Sequence, residues 1–356
     1  MNTRRLANAF KRLTHLPLNK NLLLYTSNKL HHFYLKLAGS TKVAYPSTVM
    51  LELTNRCNLR CTICPRESEY GNQMDKGNMD VQQAKSIVDE LWPYLDSIGL
   101  TGMGETFLYD DLEEIVNYIK AKNREIIISL STNAVVPNFI EKAKRIVDKV
   151  DTIQISIDGV GDTYNSIRKG SSFELLSNNI KELAKICKNT QTTLMLNMVA
   201  TKENHTDMAS LVKFASESEV KYVDFTLFNL AAVTNQEISY YSFYKSPAFI
   251  SSLNSLEKAI GQHPEVTVTN KNFTTNNSFQ KCPFPWTHFY ITWDAYIVPC
   301  CAKPFPKEMN FGNVRGRKVI DVLNSIQYQK FRKMWFENKA PFFCKKCHFL
   351  NIEPVR

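Results

Sequence analysis

The sequence predicts an α/β protein built from six parallel βα units, and two observations carry that prediction. Six short β-rich apolar runs recur along the chain, at residues 49–54, 97–102, 125–132, 152–158, 192–200 and 222–230. The segments between them place apolar residues at spacings near 3.6, as in Val81, Ile87, Val88, Leu91 and Leu95, or Leu175, Leu176, Ile180, Leu183 and Ile186. Strands alternating with helices imply parallel pairing through right-handed crossovers, closing either a doubly wound sheet or an incomplete barrel. In both architectures ligands gather at the C-terminal ends of the strands.

After residue 230 the alternation stops. A helical stretch follows around Ser246 to Gln262, then Asn- and Thr-rich residues 269–278, so a domain boundary is expected near 270. Residues 288–299 read as a hairpin turning at Asp294-Ala295, and Val319 to Phe336 as one amphipathic helix. The expected organisation is therefore an N-terminal extension at 1–45, a main domain at 46–270 and a small hairpin-plus-helix domain at 271–356.

The formal net charge of +10 is unevenly placed. Arg4, Arg5, Lys11, Arg12, Lys20, Lys29, Lys36 and Lys42 fall in residues 1–45 without any acidic residue, so the remainder is nearly neutral. Leucines and phenylalanines interleave with these cations. The arm reads as a helical extension packed on the domain, or as a surface for peripheral contact with an anionic membrane, an acidic partner or a phosphorylated substrate. Nucleic acid is a poor fit, because the body has no basic excess. No apolar run approaches the roughly 18–20 residues of a membrane span, and the start of the chain lacks an export signal, so a cytoplasmic location is expected.

The nine cysteines are odd in number and clustered, which fits metal ligation better than a disulfide framework. Cys57, Cys61 and Cys64 sit in the loop leaving the first strand, within the stretch CNLRCTICPR. An ordinary iron–sulfur or structural zinc site takes four protein ligands. Three thiolates imply either a distant fourth or a metal with one open position.

The CxxxCxxC triplet after the first strand of a six-unit βα pattern resembles the radical S-adenosylmethionine (radical SAM) superfamily over roughly residues 47–230. The resemblance implies a partial (β/α)6 TIM-like barrel and a 4Fe-4S cluster held by Cys57, Cys61 and Cys64, its fourth iron left open. An open iron can chelate the amino and carboxylate groups of S-adenosylmethionine, which accounts for three cysteines rather than four. Gly102-Met103-Gly104-Glu105-Thr106 resembles the family's Gly-Gly-Glu-Pro stretch, with Thr106 in place of proline, and implies cofactor contacts from Gly102, Gly104 and Glu105. Ser131 and Asn133 at the end of the third strand, and Ser156 and Asp158 at the end of the fourth, stand where the family places contacts to the cofactor's ribose and carboxylate. Asp158 could alternatively cap the following helix.

Cys282, Cys300, Cys344 and Cys347 are similar in spacing to the family's SPASM/Twitch auxiliary-cluster module. They imply a second 4Fe-4S cluster, with a four-cysteine zinc knot as the alternative. Cys187 reads as a buried structural thiol. Cys301 is spare, a candidate hydrogen donor to a substrate radical or an alternative ligand to Cys300. Arg168 and Lys169 read as a solvated helix start or a contact for an acidic or hydroxylated substrate.

Together the resemblance implies two 4Fe-4S clusters, S-adenosylmethionine and a radical oxidoreductase, with dehydrogenation of a sugar or aminocyclitol alcohol as the leading reading. The alternatives are a peptide-modifying maturase or epimerase and a noncatalytic electron carrier. The expected partners are a sugar-like small molecule or a peptide, and a low-potential donor such as flavodoxin or ferredoxin.

Overall fold

A computed structural model describes residues 20–233, 236–269, 281–339 and 341–347. The first part of the basic arm (1–19), residues 270–280 around the expected domain boundary, and His348 lie outside the described residues. The strands are β1 (Thr48–Leu51), β2 (Arg60–Cys61), β3 (Ser97–Leu100), β4 (Ile127–Thr132), β5 (Thr152–Ser156), β6 (Arg168–Lys169), β7 (Thr193–Ala200), β8 (Tyr222–Leu227), β9 (Thr267–Thr269), β10 (Phe289–Ile291) and β11 (Ile297–Val298). The six expected runs correspond to β1, β3, β4, β5, β7 and β8.

The chain forms two compact units. The first comprises the chain up to Arg56, Asp75–Ser129 and Lys281–Pro341. Within it β1 pairs in parallel with β3 on one side and β10 on the other, and β10 turns back antiparallel to β11. Ala295 at the expected hairpin turn has φ 69°, the left-handed conformation that a tight reversal demands.

The helix Val81–Leu91 begins where the Asp80 carboxylate accepts from Gln83 N (3.0 Å). It turns Ala84, Ile87, Val88 and Leu91 inward along one face. Burial of each of Ile87, Val88 and Leu91 contributes roughly 1.5–3 kcal/mol. The helix Leu112–Lys122 repeats the pattern with Leu112, Ile115, Val116 and Ile119. Its Glu113 and Glu114 sit in the first turn and its Lys120 and Lys122 in the last, matching the helix dipole.

The helix Lys20–Leu37 docks through Leu22, Tyr25 and Asn28. The Tyr25 hydroxyl donates to Asp96 (2.6 Å), and Asn28 exchanges two hydrogen bonds with the Tyr45 backbone. Its other face leaves Leu23, Leu30, Phe33, Tyr34 and Leu37 exposed.

One expected helix is broken. Val319–Leu323 and Ile326–Phe336 are separate, because Asn324 holds the backbone N–H and C=O of Val43 while the Ser325 hydroxyl caps the second helix at Tyr328 N. A side chain recruited by a distant segment ended the helix where local periodicity would have continued it.

The second unit comprises Cys57–Met74, Leu130–Gln280 and the chain from Phe342. Its strands β5, β7, β8 and β9 pair in parallel in that order. The βα pattern therefore does not stop at residue 230. The helix Pro247–Gln262, capped by the Ser246 hydroxyl, leads into β9, a three-residue strand too short to register as a periodic run. A separate ladder pairs β2 with β6, antiparallel, with Cys61 opposite Arg168. No helix among the described residues is long and apolar enough to cross a membrane.

Candidate functional site

The cysteine triplet is held by its own small scaffold within the second unit. The β2–β6 ladder fixes Cys61, and Thr62 N donates to Ile167 O (2.9 Å) beside it. Cys64 N donates to Cys61 O (3.0 Å), closing a turn that brings those two residues round. Asn133 Nδ2 reaches Cys57 Sγ (3.8 Å) and Asn58 Oδ1 (2.9 Å), while Asn58 Nδ2 donates to Val135 O (3.3 Å). Asn133 thus orients the first cysteine from the end of β4.

The three thiols feel one another electrostatically. Burial pushes the Cys61 thiol up to about 12, against the pull of the Arg168 guanidinium, and pushes Cys64 up as well. Thiols this hard to ionise bind a metal only by giving up their protons to it, and a fixed cation beside them eases that exchange.

Arg168 is that cation. Its Nη2 lies 2.6 Å and its Nε 2.8 Å from Asp158 Oδ2, the carboxylate buried and the guanidinium half-buried, and Asp158 Oδ1 accepts from Val199 N (2.9 Å). Burial opposes the charge on Arg168, but the adjacent Asp158 carboxylate, together with Cys61 and Tyr164, more than restores it. Asp158 caps no helix: the next one, Asp162–Ile167, starts from Gly161. Ser131 lies in β4 and Ser156 ends β5, both half-buried.

The Gly102–Glu105 loop belongs to the first unit. A Cβ on Gly104 would collide with the backbone carbonyls of Thr54 and Arg56, so only glycine lets this loop lie against the strand-to-cysteine segment. Glu105 N donates to Arg56 O (2.8 Å), and its carboxylate accepts from Phe107 N (3.1 Å). Thr106, standing where proline was expected, donates to Leu100 O (3.0 Å) and so keeps the turn tight.

Beneath the loop lies Glu52, which sequence reasoning missed. It is fully buried in the segment after β1 and accepts from Met103 N (2.7 Å), Tyr290 Oη (2.6 Å) and Trp293 N (3.2 Å). Burial pushes its carboxyl up to about 7 despite these three donors. A Cβ on Gly102 would strike its side chain. The signal was a glutamate inside the apolar run VMLELT.

Of the remaining cysteines, Cys282 and Cys300 both raise the Tyr328 hydroxyl, secondary to its burial, whereas Cys301 acts on Tyr290. In the second unit Cys347 N donates to Cys344 O (2.9 Å), Asn229 Nδ2 reaches Cys347 Sγ (3.6 Å), and the Tyr241 hydroxyl donates to Lys346 O (2.6 Å). Cys187 is buried at the end of a helix with its thiol pushed up to about 11, as expected of a structural thiol. Among the described residues no three His, Cys, Asp or Glu side chains converge tightly enough to hold an ion as they stand.

Residues 51–215 match the radical SAM superfamily model, and residues 282–348 match the SPASM iron–sulfur cluster-binding domain. The chain belongs to the radical SAM superfamily and carries a C-terminal SPASM module. It is 26% identical over 302 residues to a tungsten-containing aldehyde ferredoxin oxidoreductase cofactor-modifying protein of Pyrococcus furiosus, covering 79% of this chain and 82% of that one. It is 22% identical over 352 residues to the antilisterial bacteriocin subtilosin biosynthesis protein AlbA of Bacillus subtilis, covering 94% and 74%. Streptococcus suis SuiB bound to precursor peptide SuiA superposes with TM-score 0.65 at 15% identity, covering 94% of this chain and 76% of that one. The fold is accordingly an α/β partial TIM-like barrel.

The two modules imply S-adenosylmethionine and 4Fe-4S clusters as cofactors, and the donor chemistry fits them. Soft thiolates suit iron–sulfur clusters, and the Gly104 cradle leaves the loop backbone clear of side chain.

Proposed function

We propose that this radical SAM enzyme modifies a peptide. The observation that carries this reading is the likeness to the subtilosin biosynthesis protein, which runs along 94% of the chain. The fold shared with SuiB is one that accommodates a precursor peptide in that protein. This alternative has more support than the sugar or aminocyclitol dehydrogenation that the family resemblance first implied.

In this reading Cys57, Cys61 and Cys64 hold the first cluster, and Cys282, Cys300, Cys344 and Cys347 hold an auxiliary one. Gly102, Gly104, Glu105, Ser131, Asn133 and Ser156 line the cofactor site, with Asp158 acting there through Arg168. Bound in this way, the cofactors would supply the radical chemistry that removes a hydrogen atom from substrate. A two-electron oxidation of substrate would send the remaining electron to the auxiliary cluster held by Cys282, Cys300, Cys344 and Cys347 and the proton to solvent, with flavodoxin or ferredoxin as the low-potential electron donor. Cys301 is the candidate hydrogen donor should the outcome be epimerisation. The domain boundaries near 46 and 270 belong to the same reading. Peripheral membrane contact by residues 1–45 is supported by the exposed Leu23, Leu30, Phe33, Tyr34 and Leu37 on an arm without acidic residues.

The test is anaerobic reconstitution with iron and sulfide, followed by dithionite, S-adenosylmethionine and chromatography for 5'-deoxyadenosine. Wild type is compared with Cys57→Ala/Cys61→Ala/Cys64→Ala. About eight irons in wild type, about four in the variant, and 5'-deoxyadenosine only in wild type are expected. For substrate class, a low-mass cell extract is added after protease or periodate treatment. Protease-sensitive stimulation of 5'-deoxyadenosine release is expected; stimulation that resists protease but not periodate returns the sugar reading.

A further inference from the structure

The helix Ile326–Phe336 turns Tyr328, Phe331, Arg332 and Trp335 inward, and one of these four is a cation. Arg332 is 0% exposed. Its Nε donates to Pro285 O (2.7 Å), and its Nη1 donates to Thr41 O (3.0 Å) and Leu323 O (2.7 Å). Every one of these acceptors is a neutral carbonyl. Among the described residues Nη2 and the Tyr328 hydroxyl interact with each other, and neither finds a further acceptor. The Tyr328 ring is stacked on Phe311 (centroids 3.6 Å apart), and the Arg332 Cζ lies 3.8 Å from its centroid.

A buried guanidinium without a counter-charge is strongly unfavourable, and each buried donor left without an acceptor adds to that cost. Stapling three backbone segments accounts for Nε and Nη1. It leaves Nη2, the Tyr328 hydroxyl and the positive charge unexplained. Pro285, whose carbonyl Arg332 holds, follows Cys282 closely in the chain, and the Tyr328 ring stands 6.4 Å from that of Phe289 in the hairpin that Cys300 closes; the thiols of Cys282 and Cys300 both act on the Tyr328 hydroxyl. Iron–sulfur clusters carry net negative charge, their sulfurs accept hydrogen bonds, and both properties set the reduction potential.

We propose that Arg332 and Tyr328 are the counter-charge and hydrogen-bond donors of the auxiliary cluster and hold its reduction potential up. The inference rests on the reading of Cys282 and Cys300 as ligands. The added electron makes the cluster more negative, so a fixed cation and donors favour the reduced form. Such a cluster accepts an electron from a substrate radical more readily than one in apolar surroundings. Both are positioning residues, since neither touches substrate.

The test uses the full chain carrying Cys57→Ala/Cys61→Ala/Cys64→Ala, so that the auxiliary cluster alone titrates, with potential followed by electron paramagnetic resonance. Tyr328→Phe, Arg332→Lys and Arg332→Gln are added to it. Tyr328→Phe keeps the carbonyl staple, and is expected to retain about four irons per chain and the parent's melting temperature while titrating at a more negative potential. Arg332→Gln should move further in the same direction, with Arg332→Lys in between because the charge remains. Unmoved potentials in Tyr328→Phe and Arg332→Lys, with iron retained, would reduce both residues to structural staples and overturn the inference even if Arg332→Gln does not fold. Iron absent from the parent triple variant would instead overturn the ligand reading beneath it.

Discussion

Asp158→Asn strands one cation at the cysteine scaffold. Asparagine keeps an oxygen for Val199 N but sets an NH2 where Oδ2 accepted from Arg168 at 2.6 and 2.8 Å, so the negative charge and both of those hydrogen bonds are lost. Asp158 has a side-chain exposure of 1% and Arg168 of 13%, so solvent cannot replace the lost partner. Removing one member of such a buried pair costs about 3–5 kcal/mol, which for a unit of this size lowers the melting temperature by roughly 6–20 °C. The Cys61 thiol, relieved of a nearby anion that raises it, should ionise more easily and alkylate faster. Urea melts and iodoacetamide kinetics on iron-free protein measure both effects. Asp158→Asn/Arg168→Met removes both charges and should recover most of the loss, since the cost lies in the stranded cation. A single variant costing under about 1 kcal/mol, or a double variant that simply adds, would refute the reasoning.

Gly104→Ala should abolish 5'-deoxyadenosine formation while leaving about eight irons per reconstituted chain, because its Cβ meets backbone rather than a movable side chain. Glu52 gives stability a pH dependence: its carboxyl is raised from 4.5 to about 7 in the folded chain, so the folded state keeps the proton longer. Stability should be highest below pH 4.5 as far as this group is concerned, fall by about 3 kcal/mol as pH rises through 7, and level off above. Urea midpoints at pH 5 and 8 should differ in wild type and converge in Glu52→Gln. Full-length protein should sediment with vesicles containing phosphatidylglycerol, less so at high salt, and Leu30→Glu/Phe33→Glu should release it. Sedimentation that is indifferent to both changes argues against the membrane contact.

Much of the barrel was legible because each central strand is a short, β-rich and largely apolar run and the helices between them carry one apolar face. Local signals also marked the cysteine triplet, the glycine loop and the hairpin. What escaped depends on pairing across long stretches of chain. Two-residue β2 and β6 have no periodicity to read, yet they place Arg168 opposite Cys61. Asp158 was expected to meet the cofactor or cap a helix, and its partner could be found only by folding the chain. Arg332 sat unnoticed in an amphipathic pattern, since an arginine there ordinarily reaches solvent. Glu52 did leave a trace, as the acidic residue in an otherwise apolar strand.

The parallel pairing of β1 with β10 bears on the order of synthesis. Val49 finds Phe289 about 240 residues later, a delay of roughly 10–50 s at ribosomal speed. Until then one flank of the first strand stays unpaired, the kind of open edge to which other chains attach. The segment bearing Cys282 and Cys300 is therefore also the piece that closes the first unit. Shortening the chain ahead of β10 would yield a sticky nascent protein in need of a chaperone, not a barrel that merely lacks one of its two metal centres.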